Sequence, residues 1–305
     1  MSRPARRLPF LLPLTAALAV TLVAPPRPLP AQFLERDRGA HARYLALNVA
    51  IGTVAAVARA ATSGAPLRTA LTKGIVGGSL MSAGMELIGT EATSARLAGV
   101  QLTAIGASVS RNVDAGTGLL SDVTLPVYPF YVRVRPGTRR PVTARLSLAS
   151  TARLATVLTR ADHPRLDWRA SLATGAPVVR SSRWRLPSNG CPPPCAGSFA
   201  QHNAGVIVYS ASAGTDYDLR RTLAHESVHV AQHTRDALLD AIPVSDAALA
   251  RLGGPGRMLS RFIVLDVVMP LKWVDEGEAW MRGARPRDSW YEVEARAFAP
   301  GGERR

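Results

Sequence analysis

Two histidines four residues apart with a glutamate beside the first, His225-Glu226-Ser227-Val228-His229, are the residues of this chain best suited to chemistry. On a helix, positions i and i+4 share a face, so both imidazoles can direct a ring nitrogen at one cation, at about 2.0–2.1 Å for zinc. Glu226 stands one step round the same helix. From there its carboxylate can hold a water against the metal and take its proton, the general-base role in metal-assisted hydrolysis. The chain has only six histidines in 305 residues, and a shuffled sequence of its composition would contain the motif roughly 0.003 times.

Two histidines are one ligand short of a catalytic zinc site. Val230-Ala231-Gln232-His233-Thr234-Arg235 lacks the glycine and third histidine that would extend the motif. His233 is turned about 80° from His225 and is expected outside the ligand set or at the surface, whereas Gln232 lies nearly above His225 and can hydrogen-bond within the site. The acidic candidates gather near the end of the chain: Glu276 and Glu278, then Glu292 and Glu294. Glu292 is the expected third ligand, because Ala295 and Ala299 give its helix a small-residue face that can approach the His225 helix closely. Glu294 lies about 200° round that helix from Glu292 and is expected to pair with a surface arginine. Tyr291, Arg296 and His202 are candidates for stabilising an oxyanion.

These groups need a helix, and the flanking sequence supplies one. Val206–Tyr209 reads as a short strand available to lie along an extended substrate, Gly214 breaks it, and Thr215 or Asp216 can cap a helix running through Leu219, Leu223 and Val230 toward Leu238. Alternation at Val123–Val127, Phe130–Val134 and Val142–Leu146, with Pro-Gly at 136–137, predicts three strands. A helix or strand is expected near Arg153 to Leu158, and the apolar run 257–274 suits a buried spacer between the two site helices.

Upstream, Tyr44–Ala61, Gly74–Gly89 and Leu97–Val109 are small and apolar, with glycines that permit close helix approach. They predict helices packed on the protein itself or set against a bilayer. Arg3, Arg6 and Arg7, the apolar run Leu8–Ala24 and Leu29-Pro30-Ala31 have the order of an export signal cleaved after about Ala31, an uncleaved anchor being the rival reading. Cys191 and Cys195 flank three prolines; an extended polyproline run would hold their Cα atoms roughly 12 Å apart, so a disulfide needs a sharp turn there.

Net charge is +15, but 35 of the 37 basic residues are arginine and the clusters are small and lack interleaved aromatics. Nucleic acid is therefore not an expected partner; a peptide or protein substrate is, and an anionic membrane surface is a possible one. The sequence does not fix an oligomeric state.

His225-Glu226-x-x-His229 followed by Glu292-Val293-Glu294-Ala295 resembles the gluzincin side of the zinc peptidases, and Thr222–Glu226 with Gln232 resembles a group of uncharacterised exported bacterial proteins. Trp273-Val274-Asp275-Glu276-Gly277-Glu278-Ala279 is similar to the ligand helix of aminopeptidase-like gluzincins, which gives Glu276 its claim as third ligand. The resemblance implies a zinc peptidase with His225, His229 and a glutamate as ligands and Glu226 as base. The expected organisation is α+β: signal peptide 1–31, a Gly/Ala-rich helical region 32–115 that packs on the protein or against a membrane, a β-rich segment with a Pro-rich linker 116–200, and a zincin-like domain 201–305. The competing expectation is a non-catalytic envelope protein with a structural or degenerate metal site.

Overall fold

Glycine decides how the first three helices meet. α1 (Arg38–Ser63), α2 (Leu67–Ile88) and α3 (Thr93–Arg111) form a layer in which α2 is sandwiched between its neighbours. A Cβ on Gly106 would lie 2.4 Å from the Gly77 carbonyl oxygen, and one on Gly78 would lie 2.5 Å from the Val49 Cα. Only hydrogen fits at either crossing, so the helix backbones approach to contact on both sides of α2. Among the described residues α1 is the one helix long and apolar enough, by length and composition, to cross a bilayer, over Ala42–Ser63.

The computed structural model describes residues 38–89, 92–113, 118–182, 200–210, 216–265 and 290–299, all within one compact unit, Asp37–Arg305. The export signal, Cys191, Cys195, Glu276 and Glu278 lie outside the described residues. The fold is α+β.

Two four-stranded sheets accompany the helices. In the first, β1 (Val123–Val127), β2 (Phe130–Val134) and β3 (Val142–Ser147) are an antiparallel meander, as the alternation predicts, and β8 (Ile263–Val264) pairs parallel to β3. Tyr131, 1% exposed, points from its inner face into the core. Asp122 ties this sheet to the helical layer, with Arg133 and Arg111 both paired to it. Burial alone would raise the Asp122 carboxyl; the hydrogen bond and charge of Arg133 and then the charge of Arg111 hold it below its ordinary range.

α4 (Leu148–Arg160), capped by the Ser147 hydroxyl, confirms the helix alternative near Arg153. The second sheet runs β4 (Arg165–Leu166), β5 (Val178–Ser181), β7 (Val206–Ser210) and β6 (Ala200–Asn203). α5 (Trp168–Thr174) joins β4 to β5, capped by Asp167 and ended by Gly175 at φ +71°. β7 is paired on both sides, to β5 and to β6, so its backbone is not free to receive an extended peptide. The strands at the margins, among the described residues, are β4, of two residues, and β6, of four.

The long helix α6 (Asp216–Asp236) passes through a π-helical turn at Ala237–Ala241 into α7 (Ile242–Ala250). Pro243, without an N–H to continue the α pattern, stands where the register changes. α8 (Gly253–Leu259) leads to β8, and α9 (Trp290–Phe298) packs on α6. The expected buried spacer holds only in part where it is described: Val264 is fully buried and Ile263 and Leu265 half-buried, but Met258 is 61% exposed and Phe262 60%. Both lie beside the tight turn from α8 to β8, which turns them outward.

Gly106→Ala should lower stability by about 1–3 kcal/mol through overlap with α2, while Gly254→Ala, with nothing near its Cβ site, should be neutral or slightly stabilising in urea denaturation. The Asp122 pairing adds stability that is present above the unfolded carboxylate pKa of about 4 and is lost as pH falls through the lower folded value. Wild type should therefore lose stability between pH 5 and pH 2 more steeply than Asp122→Asn, measured by urea melts across that range.

Candidate metal centre

α6 turns one face to α9 and the second sheet, and that face carries the chemistry. His225 and His229 stand one turn apart, their rings 4.9 Å apart and nearly perpendicular. Glu292, in the first turn of α9, reaches between them: its Oε2 is 3.3 Å from His225 Nε2 and its Oε1 is 3.2 Å from His229 Nε2. Two ligands at 2.0–2.1 Å from a tetrahedral metal are about 3.3–3.4 Å apart. The three side chains thus meet with donor atoms at ligand spacing and could hold a metal ion. Of the two glutamates weighed as third ligand that lie among the described residues, Glu292 is the one brought here and Glu294 points elsewhere; Glu276 lies outside them.

Burial alone would raise the Glu292 carboxyl, but hydrogen bonds from His225 and His229 and their charge hold it far below the carboxylate range. Burial acts to lower His225, and the hydrogen bond to Glu292 with the charges of Glu226 and Glu292 overcomes it, so the imidazole is raised. A cluster that draws a proton into its centre is one that a cation can replace it in. Glu226 itself is 6% exposed and near enough for its charge to act on His225.

The tautomer of His229 is set from behind. Gln232 gives its amide hydrogens to the Tyr291 carbonyl and to Glu294 Oε2, both at 2.9 Å, which turns its oxygen toward His229. His229 Nδ1 donates to that oxygen at 2.7 Å, leaving the Nε2 lone pair for a metal. Gln232 therefore serves within the site, but through His229 rather than His225.

Glu294 is the correction of most consequence. It is fully buried and accepts from Arg235 Nη1 at 2.9 Å, and Arg235 is fully buried too, so its partner is no surface arginine. Asn48 of α1 closes the ring, donating to Glu294 Oε1 at 2.9 Å and accepting from Arg235 Nη1 at 2.7 Å. Burial would lower the Arg235 guanidinium, but the charges of Asp236 and Glu294 raise it instead.

The oxyanion candidates fare unevenly. Tyr291 gives its hydroxyl hydrogen to Asp236 at 2.5 Å, and burial with that carboxylate pushes its pKa up, so this donor is committed away from the metal ligands. His202 of β6 lies parallel to His229 with ring centres 6.2 Å apart, and its Nε2 accepts from the Gly205 N–H at 3.1 Å. Arg296 lies where its charge acts on Tyr44. His233 is buried, with its ring against Tyr128 and His202, and is not at the surface.

Sequence reasoning missed Asn48, Arg235 and the role of Glu294. A signal existed. Arg235 falls in the apolar stripe Val228, Ala231, Leu238, and Glu294 in the stripe Tyr291, Ala295, Phe298; a charge inside such a stripe implies a buried partner.

Glu292→Ala should abolish divalent-metal binding in a calorimetric titration, whereas Gln232→Ala should weaken it 10–100-fold. Glu294→Ala strands a buried guanidinium and should cost about 3–5 kcal/mol of stability, read by urea denaturation. Set against models of known families, curated proteins and solved structures, the chain matches none of them.

Proposed function

We propose that this protein is an exported, zinc-dependent metallohydrolase, a peptidase of gluzincin type. The observation that carries the reading is the meeting of His225 and His229 of α6 with Glu292 of α9 at ligand spacing, with Glu226 beside His225 on α6. The donor set of two imidazoles and one carboxylate fits zinc, and it is the set that leaves a fourth position for water or substrate. When bound, zinc would polarise a substrate carbonyl and acidify a water toward neutral pH.

The chain's own residues do the rest. His225, His229 and Glu292 fix the metal position, Gln232 holds the His229 tautomer, and Glu226 takes the proton of the attacking water and passes it to the departing amine. β6 at the sheet margin is the element suited to align an extended peptide. The Glu292 side chain keeps 31% of its surface exposed, which favours a site that substrate can reach over a closed structural one. Export rests on the arginines and apolar run of residues 3–24.

Glu226→Gln should retain zinc but lose cleavage of casein or a peptide library by at least about 100-fold, with metal content and proteolysis measured side by side. Wild type and variant cleaving equally would overturn the assignment of Glu226 and the peptidase reading with it.

A further inference from the structure

The strand register sorts the first sheet into two unlike faces. Val127 pairs with Phe130, Phe130 with Leu146, and Val134 with Val142, so these side chains project together from the side opposite Tyr131. An antiparallel sheet with one face on the core ordinarily alternates to polar residues on the other. Here the outer face is aliphatic and aromatic, and it is open: Val127 is 56% exposed, Phe130 44% and Val142 59%.

At the end of the sheet where β2 turns into β3, this face meets cations. Arg135, Arg139 and Arg140 from that hairpin and Arg261 from the turn before β8 line one shallow recess, and among the described residues none of the four makes an ion pair. Among the described residues, Asp122 is already paired with Arg133 and Asp246 with Arg145. The turn carrying Arg261 also exposes Met258 and Phe262.

We propose that this face docks on an anionic lipid bilayer, the arginines meeting phosphate headgroups while Phe130 and Val142 enter the interfacial region. Charge complementarity selects the occupant. A second copy placed on the same face would bring arginine against arginine, and a nucleic acid would leave the aliphatic surface in water. Apolar residues beside unpaired cations are the combination by which amphipathic surfaces hold to anionic membranes. The proposal is independent of the metal site.

The test is sedimentation of the full chain with phosphatidylcholine vesicles, with and without about one-third phosphatidylglycerol, for wild type, Arg139→Glu/Arg140→Glu and Phe130→Ser/Val142→Ser. All four substituted positions are exposed or on the open face, and thermal melts check folding. Each arginine near the surface contributes about fivefold to partitioning, so the charge reversals should weaken binding to anionic vesicles by at least about 25-fold, and the apolar pair should weaken it at both low and high salt. Equal binding to neutral and anionic vesicles overturns the proposal. So does loss of binding on charge reversal with the apolar variant unaffected, since that is adhesion by charge alone. A concentration-dependent dimer abolished by Phe130→Ser/Val142→Ser, or oligonucleotide binding that competes fully with vesicles, would assign the face to another partner and equally overturn it.

Discussion

A guanidinium sealed from water holds this molecule's chemistry in place. Arg235 is fully buried, and an ion so placed is tolerable only where charge and hydrogen bonds surround it. Glu294, Asp236 and Asn48 do so. They come from α9, from α6 itself and from α1, so one cation fixes the relation of three helices. Because Glu294 also receives Gln232, and Gln232 receives His229, the same ion reaches the candidate metal-binding residues through a continuous run of hydrogen bonds. Glu292 is two residues from Glu294 on α9; once the second is locked, the first has little freedom in where it stands.

The division of labour between these glutamates follows from helical geometry. Two residues on, the side chain has moved about 200°, so one carboxylate faces the histidines while the other faces the interior. Glu292 keeps a partly wet position, open to solvent and to a metal ion. Glu294 works where no solvent reaches, and its value lies in geometry rather than in net stability, since a buried pair is a weak source of the latter.

What the sequence disclosed was what periodicity alone can carry. His225, Glu226 and His229 were legible from spacing, Glu292 from the small residues that follow it, the three strands of the meander from alternation, and the helical layer from its runs of alanine and glycine. What stayed hidden depends on partners remote in the chain. Asn48 and Glu294 are 246 positions apart, and no local pattern joins them. The second sheet was missed in most of its strands because β4 has two residues and β5 four, too few for alternation to register. The mistaken substrate role for β7 arose in the same way: whether a strand is central or marginal is a property of the sheet, which a single segment cannot announce.

That 246-residue span has a consequence for how the protein comes into being. During synthesis α1 emerges early and α9 late, so the arginine of α6 must wait, incompletely matched, until the final helix arrives. Closing so long a loop is slow but only modestly more costly in entropy than closing a short one. The histidines alone would hold a metal poorly, and Glu292, the carboxylate that could join them, comes on the very helix that completes the arginine's surroundings. The three donors that could hold a metal ion therefore come together only once α9 is in place.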